Sequence, residues 1–186
     1  MELDLKNISA PFAAMLEPLR TLAGRKEIDL TQIPSPKGIA PESVAISAEI
    51  VHETASDHGV SRLVFCRDPE IPEGWNSEYR VIGYAKSPIE LEMAKDDYTA
   101  ALPWEWLKDS LRNGKASFAN EAGTTTTVIS TGHGSLIGQP QHAELEIRAS
   151  WTPTSMDLAP HVIAWTELLA LISGLPPADT NVTRIS

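Results

Sequence analysis

Arg62 and Arg80, on two neighbouring strand-like segments, and Glu144, Glu146 and Arg148, at alternate positions of a third, are the residues whose types and spacing best suit a site. Guanidinium groups make paired hydrogen bonds to anions, so arginines on one sheet face can line a groove for a carboxylate, a phosphate or an acidic segment. The same residues also suit scaffolding. Opposite charges on adjacent strands pair across a solvated sheet for ~0.2–1 kcal/mol. Arg62 or Arg80 meeting Glu146, or Arg148 meeting Glu146 or Glu78, would be such pairs. Scaffolding is the simpler expectation for a solvated face. Two tryptophans join the candidate binding residues. Trp75 lies in the polar loop EIPEGWNS, and Trp106 falls off the Trp104, Leu107, Leu111 stripe of its segment. Exposed tryptophans often mark interaction surfaces.

Other chemistries lack their residues. His52, His58 and Cys66 match no zinc spacing, and His133, His142 and His161 are scattered, so no metal site is expected. Cys66 sits in the apolar run LVFC, where a buried thiol is inert. There is no G-x-S-x-G elbow, no P-loop, no G-x-G-x-x-G and no H-E-x-x-H. GHGSLIG has glycines and a serine but no P-loop lysine, and it reads as a connection. No catalytic residue and no cofactor is expected.

The whole chain limits the partners. Its 186 residues, 42% apolar and 22% charged, suit one soluble globular domain. A net charge of −10 disfavours direct nucleic-acid binding and a peripheral membrane role, since both ordinarily use a basic face. No apolar run approaches a membrane span. The opening MELDLKNISAPF lacks the basic start of a signal peptide, and Cys66 is the only cysteine, so a reducing, cytoplasmic setting is expected.

The elements that must position these residues follow from periodicity. SAPFAAMLEPLRTLAG predicts a helix capped by Ser9, with a kink or break at Pro18. EIDLTQI is at best a short strand, and PESVAISAEIVHET predicts a helix opened by Pro41, with Val44, Ala48 and Val51 on one face. VSRLVFCRDP and EYRVIGYAKSP predict adjacent antiparallel strands over 62–68 and 78–86, joined by the Trp75 loop. PWEWLKDSLRNG predicts a helix ending at Gly114, and KASFANEAGTTTTVISTG a hairpin or one long bent strand. AELEIRASWTP alternates apolar Ala143, Leu145, Ile147, Ala149 and Trp151 with polar partners, as a half-buried strand does. SMDLAPHVIAWTELLALIS predicts a final helix that ends at Gly174. The fold class is α+β: an antiparallel sheet of about four to five strands, covered mainly on one face by three to four helices. As a single domain it divides into an N-terminal helical segment (1–57), an α+β core (58–177) and a loose tail (178–186).

The order SRLVFCRDP, W-x₄-R-V (Trp75, Arg80, Val81), PIELEM, PWEWL, GTTT, EIRASWTP, then HVIAWTELL with GLPP, resembles an actinobacterial family catalogued as domain of unknown function 3000. The resemblance spans roughly residues 60 to 177, departing at Ser61 and His133. It implies a cytoplasmic bacterial protein with no established activity. Genes of the family often neighbour one for a ribonuclease-D-like exonuclease, which implies RNA metabolism only by association.

Two functional classes stand. One is a noncatalytic binding or adaptor protein with a protein partner near Trp75 and Trp106. The other is an enzyme or accessory subunit acting on an anionic substrate through Arg62, Arg80, Glu146 and Arg148. An exposed apolar patch at Trp106 would mark the first, and a deep pocket uniting the charges with His161 the second.

Overall fold

Six strand-forming segments build one antiparallel sheet. The computed structural model describes residues 1–51 and 59–177. His52, His58, the end of the helix expected over 41–54 and the tail from residue 178 lie outside the described residues. The strands are β1 (Ile28–Ile33), β2 (Glu42–Ile50), β3 (Val60–Arg67), β4 (Tyr79–Ile89), β5 (Phe118–Ser130) and β6 (His142–Pro153). Their order across the sheet is β1-β2-β3-β4-β6-β5, and every neighbouring pair is antiparallel. The helices are α1 (Ala10–Leu16), α2 (Leu91–Ala94), α3 (Leu102–Asn113) and α4 (Ala159–Ile172). The α+β class and the antiparallel sheet therefore stand, with six strands rather than four to five.

The N-terminal stretch was expected to be helical apart from, at best, a short strand at EIDLTQI. It contributes α1 and that strand, β1, but the helix expected from Pro41 is the strand β2. The sequence of β2 carries two apolar faces. Val44, Ala48 and Val51 align on a helix, while Val44, Ile46, Ala48 and Ile50 align on a strand. The strand set is buried, whereas Val51 is 61% exposed. Ladders to β1 on one side and β3 on the other settle the competition, because they satisfy the backbone and bury that face together.

Elsewhere the punctuation behaves as its chemistry requires. The first helix stops at Leu16, and a 3-10 turn over Glu17–Thr21 accommodates Pro18. Ser9 precedes α1 without a side-chain cap bond. Its hydroxyl instead accepts a hydrogen bond from Arg67 at 3.1 Å, and its amide donates to Glu42 at 2.6 Å, which ties α1 to β2 and β3. The threonine-rich segment is one long strand, β5, with a register shift between Ala119 and Ala122 where Asn120 takes a φ of 52°.

One face of the sheet carries the main core. Ile46, Leu63, Phe65, Val81, Ala85, Ile147 and Trp151 project from the strands to meet Leu107, Leu111, Val162, Trp165 and Leu169 of α3 and α4. α4 lies over β2, β3 and β4, and α3 packs on α4 and β5. Gly83 lets α4 come close: a Cβ there would stand 2.4 Å from the Trp165 ring. The indole of Trp165 also meets Trp151, with ring centroids 5.9 Å apart. The opposite face is covered only at one end. There Ala45, Val64 and Cys66 are buried under Trp75, Ile39 and Ala40, so β3 is apolar on both faces over that stretch. Beyond this patch the face is open.

Candidate functional site

Register, more than residue type, decides which side chains share the open face. Arg62 of β3 pairs with Tyr84 of β4, Tyr84 with Arg148 of β6, and Arg148 with Thr124 of β5. Strands stand about 4.8 Å apart, so the two arginines flank Tyr84 from backbones ~10 Å apart. One row towards the open end, Lys86 lies between Val60 and Glu146, with Thr126 beyond. One row towards the covered end, Val64, Ile82, Ser150 and Ala122 line up.

The charges on this face are unevenly matched. Lys86 donates to Glu144 at 2.6 Å, and that bond holds the ammonium above its ordinary range. Glu146 reaches Arg148 only at 3.6 Å, and the Arg148 side chain remains 70% exposed. The Arg148 guanidinium lies over the Tyr84 ring, 5.3 Å from its centroid, where a cation meets the negative face of the π-system. Burial and the neighbouring Glu146 carboxylate push the Tyr84 phenol up. Arg62 is exposed and makes no ion pair among the described residues.

Arg80 is the unusual member. It is 6% exposed and has no carboxylate partner among the described residues. Its guanidinium donates to the Asn120 carbonyl at 2.8 Å, to Thr152 Oγ1 at 3.0 Å and to Ser150 Oγ at 2.7 Å. Thr152 in turn donates to the Trp75 carbonyl at 2.6 Å, and Asn120 Nδ2 donates to the same oxygen at 3.2 Å. The network joins the β3–β4 loop to the bulge of β5. Burial lowers the Arg80 guanidinium, which is the cost of keeping a cation where neutral dipoles are its only company.

The candidate residues are thus partly gathered. Arg62, Glu146 and Arg148 share the open face, and Arg80 projects from the same side of the sheet but is buried at the covered end, beside Trp75. Trp106 belongs to the other side, where it is half-buried against the main core between clefts lined by α3 and α4. One patch cannot contain both tryptophans. Nor does Arg80 or Arg62 meet Glu146 as a cross-strand pair, since Arg80 stands opposite Cys66 and Arg62 opposite Tyr84. Glu78 bonds to Arg67 rather than Arg148. The sequence reading passed over Tyr84, Ser150 and Thr124. Their parity with the arginines was visible, but their adjacency depends on register.

The remaining titratable candidates lie apart. His161 is in α4 with no exposed surface, and its Nδ1 accepts a hydrogen bond from Trp151 Nε1 at 3.0 Å. Cys66 is buried, and burial pushes its thiol up to about 12. Among the described residues no group of three or more His, Cys, Asp or Glu side chains is placed to hold a metal ion.

The model of a protein family of unknown function, DUF3000, matches residues 8–183. The chain belongs to that family. The match takes in β1 and β2, which the resemblance over residues 60 to 177 had left out. No curated protein and no solved structure matches the chain. Among the described residues no helix is long and apolar enough to cross a membrane.

Proposed function

We propose that this chain is a noncatalytic binding protein that receives an acidic segment of a protein partner on the open face of its sheet. The observation that carries the reading is the row Arg62–Tyr84–Arg148. In a chain of net charge −10, it presents two accessible guanidiniums beside an aromatic platform. One has no ion pair among the described residues, and the other has only a long contact. Tyrosine and arginine dominate the centres of protein interfaces because they combine contact area with directed hydrogen bonds. Glu49, Glu144 and Glu146 frame the row, so an acidic segment that strays from the arginines meets like charge.

His161, which an enzymatic reading would unite with these charges, lies on the other side of the sheet, bonded to Trp151. A cytoplasmic location suits a chain whose single thiol stays reduced in the core.

Calorimetric titration with a synthetic acidic peptide tests the reading. Binding should weaken with salt and disappear in the Arg62→Glu, Arg148→Glu double variant without a change in melting temperature. Equal affinity in the wild type and the double variant would refute it.

A further inference from the structure

A buried guanidinium without an anion asks for a reason. Arg80 tethers a loop and a bulge through three neutral acceptors, a task that needs donors but no net charge. The charge becomes useful if an anion arrives from outside. Ser150 shows where it would arrive. A serine hydroxyl has one proton and two lone pairs. Arg80 Nη2 occupies a lone pair of Ser150 Oγ at 2.7 Å, and the Ser150 proton has no acceptor among the described residues. A hydroxyl that accepts from a cation is a strengthened donor, because hydrogen bonds in a chain polarise one another. Ser150 also lines an open groove of about 340 Å³ with Ile82, Ala122, Thr124 and Arg148. Ala122 leaves the space, Thr124 offers a second hydroxyl, and Arg148 offers an exposed fork.

We propose that this groove is a phosphoryl-binding subsite, with Arg148, Ser150 and Thr124 as direct ligands and Arg80 as the charge beneath them. The proposal rests on the docking of an acidic segment described above and names its anchor: a phosphorylated side chain of the partner. Thr124 stands opposite Arg148 and Ser150 lies two residues along the same strand face, so the three donor-bearing residues form a triangle, which suits a tetrahedral oxyanion better than a planar carboxylate once the Arg148 fork swings off the Tyr84 ring. Two accessible or underlying cations suit a dianion. A nucleic-acid backbone offers the same group, but a chain of net charge −10 repels a polyanion over its remaining surface.

Amide chemical-shift titration of the full chain tests this, first with inorganic phosphate, then with a phosphoserine peptide and its serine counterpart. Phosphate should move the amides of residues 122–124 and 148–150. Its affinity should fall at least about fivefold in Ser150→Ala and in Thr124→Val. Thr124→Val keeps the side-chain shape and leaves every bond of Arg80 intact, so a loss there is not a folding defect. The phosphoserine peptide should bind at least about tenfold more tightly than the serine peptide. Silent amides at 122–124 and 148–150, or unchanged affinity in both variants, would overturn the subsite. A single-stranded oligonucleotide binding more tightly than the phosphopeptide would overturn the peptide assignment. Phosphate binding here with no response to acidic peptides would leave the subsite standing and remove the docking face. The reverse result would remove the subsite alone.

Discussion

Lowering the pH from about 7.5 to about 5 should remove ~2 kcal/mol of stability through His161 alone. The imidazole has no exposed surface, and its Nδ1 accepts from Trp151 Nε1, so the ring proton sits on Nε2. That nitrogen is buried without a partner among the described residues. Burial lowers the imidazole from 6.5 to about 4, with Asp157 opposing weakly. The sign follows from the two states. Well above pH 6.5 both hold the neutral ring and the group contributes no slope. Between 6.5 and about 4 the unfolded chain takes up a proton that the folded one refuses, so stability falls as pH falls. Proton linkage gives a loss of ~1.4 kcal/mol at about pH 5.5 and ~2 kcal/mol at about pH 5. Glu42, held below its ordinary 4.5 by Ser9 and Arg67 against its own desolvation, acts at lower pH and does not confuse this window. Urea melts across the range, on wild type and His161→Asn, isolate the effect. The variant keeps an acceptor near Trp151 but cannot titrate. Parallel stability curves for the two proteins would refute the reasoning, since the imidazole would then be protonated as readily in the fold as outside it.

Three further outcomes are expected. Trp165→Ala should cost ~3–5 kcal/mol in urea melts, as deletion of a fully buried aromatic, and Gly83→Ala ~1–3 kcal/mol by driving a methyl group into the same indole; a loss below ~1 kcal/mol for Trp165→Ala would place the indole outside the core. Cys66 should react with a disulfide reagent at least ~100-fold more slowly in the folded protein than in denaturant, and equal rates would mean that its strand is not covered. Arg148→Ala should change stability by no more than ~1 kcal/mol, and a larger loss, insensitive to salt, would make the residue a structural partner of Glu146 rather than a ligand for something external.

Much of the sheet could be read from two-residue alternation, because a strand buried on one face has no other way to arrange its apolar residues. The segments at 79–89 and 142–153 show it, while 60–67 reads instead as the continuous apolar run of a strand covered on both faces over half its length. The residues of β2 satisfy both periods at once, and only its ladders to β1 and β3 distinguish them. The candidate site was legible as a set of residue types and not as a place. Parity put Arg62 and Arg148 on a polar face, but Tyr84 stands between them only because β6 pairs with β4 in this register. The burial of Arg80 was hidden for a related reason. Its cover comes from the Trp75 loop and the β5 bulge, which are 45 residues apart in the chain.

The position of β6 between β4 and β5 also sets the order in which the chain can be assembled. During synthesis from the N-terminus, β1 to β4 emerge as a meander whose successive strands can pair at once. β5 cannot join them. Its ladder is formed with β6 alone, so the uncharged run Gly123–Ser130 waits without a mate until residues 142–153 have left the ribosome. α4, which roofs β2, β3 and β4, emerges later still. A nascent chain therefore holds an unroofed sheet and an orphan β-branched strand at the same time, the combination most prone to pairing with a neighbour. Between the emergence of Ser130 and that of Ile172, the chain exposes both surfaces together.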